Sequence, residues 1–133
     1  MPTIAQKVSK QRTLQGLETI TYTVDAQGRS LGRVASEAAS ALLGKKSVHF
    51  VKNLVLPTQV SVINVGKLSL PEKRVAGKTY VRYTGYPGGL RETSMSMLIE
   101  KKGIEEAMRK AIDGMLPRNK LRNDRMKRLT ISI

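Results

Sequence analysis

The sequence has no cysteine and a single histidine. Without cysteine there are no disulfides, no thiolate nucleophile and no cysteine-based zinc site. With one histidine, a histidine-based triad would have to use His49, and a multi-histidine metal site cannot form. Acids are also scarce, with 10 Asp and Glu against 24 Lys and Arg. They are scattered: Asp25 in a turn, Glu37 on a helix face, Glu105 and Glu106 on an outer face. No two carboxylates are spaced to share acid and base roles. No run is long and apolar enough to span or anchor in a bilayer. Met1 to Gln15 holds no hydrophobic signal core, so nothing argues for secretion. These absences argue against an enzyme, a cofactor, a metal, a small-molecule substrate and a membrane partner. A nuclease built from acids that the fold brings together stays open as an alternative.

What is present is positive charge. The net charge is +14 over 133 residues, with an isoelectric point near 10.5. Self-repulsion of that size calls for a polyanionic partner, and nucleic acid fits best. Apolar residues make up 40% of the chain, so it is not a disordered tail. Its length suits one domain with a real core. The densest charge lies in the run Arg118-Asn119-Lys120-Leu121-Arg122-Asn123-Asp124-Arg125-Met126-Lys127-Arg128, six cations against one acid. Leu121, Met126 and Leu129 punctuate that run, so its apolar side chains can dock on a core while Arg118, Lys120, Arg122, Arg125, Lys127 and Arg128 face outward. An ordinary solvated helix face is the alternative.

Residues 1–19 read as a polar, basic arm, and 20–133 as a single domain. Ile20 to Val24 alternates as a strand, and Asp25 to Gly28 is a turn. A helix follows with Ser30 as N-cap. Leu31, Val34, Ala35, Ala38 and Leu42 lie on one face of it, and Gly44 ends it. Arg29 and Arg33 flank the start of this helix, where free N–H groups favour anions. They read as a phosphate-contact corner or as solvation of the outer face; Lys45 and Lys46 follow the helix. Ser47 to Val51 reads as a short strand or extended turn, and Val60 to Val65 as a buried central strand. Strand, helix, strand in that order is a βαβ unit with a parallel pair. Gly66 to Lys78 reads as a basic hairpin or arm, and Thr79 to Thr84 as a strand. The strand enters Gly85-Tyr86-Pro87-Gly88-Gly89, whose glycines would let backbone approach a surface closely. Tyr83 and Tyr86 could stack on bases or riboses there, with Arg82 and Arg91 on either side. The alternative is a tight turn with its tyrosines on the core. Helices are expected over Ser94 to Lys102 and Ile104 to Gly114, their methionines in the core, and a last strand over Leu129 to Ile133.

Several segments, in order, resemble one known family. They are Tyr22 to Ala26 with Gly28 to Ser36, Gly44-Lys45-Lys46, Val62 to Val65, Tyr83 to Leu90, and Ala111 to Leu121. Together they are similar to large-subunit ribosomal protein thirteen in its bacterial or organellar form, over about residues 20–131. Thr21, Tyr83 and Arg122-Asn123 depart from the usual pattern. The resemblance implies a three-layer α/β/α fold around a mainly parallel sheet. It also implies a structural role on large-subunit rRNA, early binding during subunit assembly, contact with neighbouring ribosomal proteins, and residence in a cytoplasmic or organellar ribosome. Its rRNA-facing residues would be Arg29, Arg33, Lys45, Lys46, the loop Tyr83, Thr84, Gly85, Tyr86, Pro87, Gly88, Gly89 and Leu90, and Arg118 to Leu121. A free-standing RNA-binding regulator or RNA chaperone is the alternative.

Overall fold

The computed structural model describes residues 18–133, so most of the expected 1–19 arm lies outside the described residues. Strand β1 (Ile20–Asp25) pairs in parallel with β2 (Thr58–Ile63), and β2 pairs in parallel with β5 (Leu129–Ile131). The sheet order β1-β2-β5 puts β2 in the centre, as its β-branched, apolar sequence demands. Between β1 and β2 runs helix α1 (Leu31–Leu43), completing the βαβ unit. One α/β domain around a parallel sheet is what the chain forms.

The ends of α1 follow from local chemistry. The Asp25 carboxylate accepts from Gln27 N–H at 3.0 Å, closing the turn. Gly28 takes φ 66°. Ser30 sits extended at the N-cap, though its hydroxyl caps nothing. At the other end Gly44 has φ 81°, and the Gly44 and Lys45 amides return to Ala41 and Ser40 at 2.9 and 3.2 Å. Glycine is needed there twice over, because a Cβ would also meet Leu56.

After α1 the chain makes turns through residues 47–57, so Ser47 to Val51 takes the turn of its two expected readings and not the strand. Val48 is 98% exposed, so that segment has no face to bury. The expected hairpin or arm over Gly66 to Lys78 is instead a 3₁₀ turn (Val65–Lys67) and a short helix α2 (Glu72–Gly77), which buries no side chain. Strands β3 (Thr79–Tyr83) and β4 (Leu90–Ser94) form a separate antiparallel hairpin. Helix α3 (Met95–Lys102) is capped by Ser94, whose hydroxyl accepts from Met97 N–H. Gly103 breaks to α4 (Ile104–Met115), and α5 (Arg122–Met126) leads into β5.

The core gathers Val24, Val60, Val62 and Leu129 from one sheet face against α1, with Met95, Leu98, Met108 and Ile112 from α3 and α4. Buried alanines at 35, 38, 39 and 41 let α1 lie close to its neighbours. Of the three layers that the resemblance implies, the described residues supply the sheet and the helical layer on this side. On the other sheet face, Thr21, Thr23, Gln59 and Thr130 are exposed and polar.

Candidate nucleic-acid interface

Leu116 is buried and ends α4, held in an extended conformation as a residue before proline must be. The chain therefore leaves the helix sharply at Pro117. Arg118, Asn119 and Lys120 stand exposed in a turn closed by Arg122 N–H on the Asn119 carbonyl at 3.1 Å. This turn forms one wall of an open cleft of about 1420 Å³. The start of α1 (Leu31, Gly32), the end of α2 with Lys78, the first residues of β3 and the last turns of α4 supply the rest. A smaller hollow of about 390 Å³, lined by Ser30, Arg33 and Ser36, shares Leu31, Gly32, Arg74 and Met115 with the cleft. The two make one groove past the start of α1.

The groove is cationic because separate segments converge on it. Arg74, Lys78, Lys110, Arg118, Lys120 and Arg122 line the cleft, and Arg33 lines the hollow. Among the described residues the only acid in the lining is Asp113, which pairs with Arg122 at 3.2 Å. Lys78 and Lys110 lie 5.7 and 5.1 Å from the Tyr80 ring, which holds both ammonium groups beside the cleft. Burial raises the Tyr80 phenol pKa, so it remains a neutral donor at the edge. Arg74, Lys78, Lys110 and Tyr80 were not among the candidates drawn from the sequence. Arg74 and Lys78 fall there within the basic segment Gly66 to Lys78, and Lys110 within the helix expected over Ile104 to Gly114.

The expected cationic run divides. Arg118 and Lys120 are exposed and have no ion pair among the described residues, whereas Lys127 pairs with Asp124 at 3.3 Å. Arg125 corrects the outward-facing expectation, since it is 1% exposed. The turn of α5 points it inward, where its guanidinium donates to the Lys52 and Leu54 carbonyls at 3.5 and 3.4 Å. Its Nε and Nη1 meet no partner, and burial lowers its pKa. Arg128 likewise turns onto the Leu56 carbonyl. These two arginines staple the 52–56 loop to the last strand.

The Arg29 corner divides too. Arg29 pairs with Glu37 at 2.8 Å, Lys46 pairs with the same carboxylate at 3.5 Å, and neither lines the groove. The hydrogen bond from Arg29 is the main reason the Glu37 pKa lies low. Lys45 is exposed at the far end of α1. In the hairpin, Arg82 stands directly opposite Arg91, and Tyr83 opposite Leu90. Alternation puts the arginines on one hairpin face and Val81, Tyr83 and Leu90 on the other. Thr84 closes onto the Gly89 carbonyl at 3.2 Å, Gly85 and Gly88 take φ 89° and 72°, and Tyr86 at the tip is 75% exposed. His49 is exposed and its amide donates to the Ser47 hydroxyl. No group of three or more His, Asp or Glu among the described residues could hold a metal ion, and no described helix is long and apolar enough to cross a membrane.

The chain is also similar to known proteins along most of its length. The profile of the family described as ribosomal protein L13 matches residues 19–132. The large ribosomal subunit protein uL13 of Citrifermentans bemidjiense is 42% identical over 110 residues, covering 83% of this chain and 77% of the relative. That of Geobacter sulfurreducens is also 42% identical, covering 83% and 76%. That of Moorella thermoacetica is 40% identical with the same coverage, 83% and 76%. A match along nearly the whole described domain, with relatives this similar, means that the chain belongs to the ribosomal protein L13 family.

Proposed function

We propose that this chain clamps folded large-subunit rRNA in the groove beside α1, with the hairpin arginines Arg82 and Arg91 as a second contact. The chain is a structural, non-enzymatic constituent of the large ribosomal subunit. The observation that carries the clamp is convergence: Arg74, Lys78, Lys110, Arg118 and Lys120 come from separate segments and meet at one cleft. Without a polyanion these charges only repel one another; with one, each gains a phosphate. Phosphate contacts supply affinity, and the fixed spacing of the cations supplies register on the RNA shape.

The remaining candidates fall into place around that clamp. Arg33 extends it along the hollow, Lys45 is an exposed outer contact, and Lys46, Arg29 and Lys127 form outer contacts released from their carboxylates when phosphate approaches. Tyr83, Thr84, Gly85, Tyr86, Gly88 and Gly89 bring backbone and rings against the RNA, with Asn119 and Arg122 beside the clamp. A chain that fixes several rRNA segments acts early in subunit assembly and abuts neighbouring large-subunit proteins, in a cytoplasmic or an organellar ribosome alike.

The test is binding of the full chain to folded large-subunit rRNA across a salt series. Each lost phosphate contact lowers the log–log salt slope by about 0.7–0.9. Changing Arg118 and Lys120 together to Ala should lower it by about twice that, with no change in thermal midpoint. An unchanged slope and affinity would remove the clamp.

A further inference from the structure

The cleft holds two features that a phosphate track has no use for. One is exposed apolar surface. Met115 occupies the core-facing register of α4, yet it is 42% exposed, and Val81 is 60% exposed; both line the cleft. The other is a carboxylate. Asp113 sits in the last turn of α4, the negative end of the helix, among cations that would bind phosphate better without it. Its pair with Arg122 uses Oδ1, which leaves Oδ2 for further donors.

We propose that the cleft seats one unpaired nucleotide of the rRNA, its phosphates on Arg118 and Lys120, its base against Met115 and Val81, and its amino edge on Asp113. A carboxylate repels phosphate but accepts from base N–H groups. Guanine is the best fit, because N1–H and the 2-amino group present two donors side by side, which match the free Oδ2 and the second lone pair of Oδ1 beside the Arg122 bond. Paired A-form RNA keeps that edge in its own base pair, whereas an unstacked base in a loop or bulge offers it freely. A concave, apolar-floored cleft suits such a splayed base, and a flat cationic surface does not. Arg122 positions the carboxylate and does not itself read the base. This seat rests on the reading that the groove faces rRNA.

The test uses the full chain and fluorescently labelled pentaribonucleotides with guanine, inosine or uridine at the centre of a uridine run. Anisotropy at fixed moderate salt reads the affinity. The guanine oligomer should bind about five- to fiftyfold tighter than the inosine one, which lacks only the 2-amino group. Asp113→Asn should abolish that difference and keep the salt dependence. Arg122→Ala should weaken all three oligomers through the lost charge and shrink the guanine–inosine difference, because the Asp113 carboxylate is no longer held. Equal binding of guanine and inosine, or uniform tightening by Asp113→Asn, would overturn the seat and leave Asp113 as a mere tether for Arg122. A duplex of equal charge that binds better than the guanine oligomer would also overturn it. Loss of salt-dependent binding to folded large-subunit rRNA itself would instead count against the clamp.

Discussion

Arg125 separates charge that binds from charge that packs. It lies in the most basic run of the chain, yet it is 1% exposed and has no carboxylate partner among the described residues. Its two bonds, to the Lys52 and Leu54 carbonyls, are 3.5 and 3.4 Å long, against a usual N–H···O separation of about 2.9–3.0 Å. Each is therefore worth less than the roughly 1.5–3 kcal/mol of a good bond to a charged group. Against them stands the desolvation of a guanidinium, several kcal/mol after relaxation. Arg125→Met keeps the aliphatic bulk and removes the charge. Lys52 is exposed, so its carbonyl can turn to water. We expect Arg125→Met to lie between neutral and about 2 kcal/mol stabilising. Arg125→Ala empties the site and should cost about 3–4 kcal/mol, as large-to-small core changes do. At this chain length 1 kcal/mol is worth roughly 3–5 °C, so the two variants should melt about 9–30 °C apart by circular dichroism. Both should keep the wild-type salt slope on rRNA, because no phosphate reaches this side chain. If Arg125→Met falls as far as Arg125→Ala, the charge itself holds the loop and the reasoning fails. If the salt slope drops, the side chain is not buried when RNA binds.

Three further outcomes are expected. Asp25 and Glu37 both have lowered pKa values, Asp25 chiefly through its hydrogen bond from Asn64 and Glu37 chiefly through Arg29. The stability they contribute is present above their ordinary values of 3.8 and 4.5 and is lost as pH falls through the lowered ones. The melting midpoint should therefore stay level down to about pH 5 and fall below about pH 4, less steeply in Asp25→Asn with Glu37→Gln. Gly44→Ala should cost about 1–2 kcal/mol in urea unfolding, from the left-handed backbone and the displaced Leu56. Gly88→Ala, at φ 72°, should strain only the hairpin tip by about 1 kcal/mol, weakening rRNA binding while the global midpoint holds.

Periodicity marked the elements that bury a face. Helix α1 was legible because its apolar positions recur at helical spacing and glycine follows them. β2 was legible through its run of β-branched Val60, Val62 and Ile63, though it starts earlier than expected, at Thr58, which is buried and pairs with Ile20. Helix α2 buries nothing, so its sequence carries no stripe to read. Strand β4, Leu-Arg-Glu-Thr-Ser, is a strand because β3 pairs with it, not through its own composition. The same limit applies to the groove. Arg118 and Lys120 stand in a visible run, but Lys78 and Lys110 join them only because both lie over the Tyr80 ring at the start of the hairpin. Arg125 looks like its neighbours in sequence, and only the 52–56 carbonyls tell it apart.

The sheet also imposes an order in time. During synthesis β1, α1 and β2 emerge together and can pair at once, but the other edge of β2 must wait for residues 129–131. Until then Arg125 and Arg128 have not met the 52–56 loop, and the turn that presents Arg118 and Lys120 is anchored only at the α4 end. A nascent chain therefore carries its positive charge well before it carries its RNA-binding shape. Loose, salt-sensitive attraction to any nearby RNA comes first, and fitted recognition begins only when the closing strand zips into place.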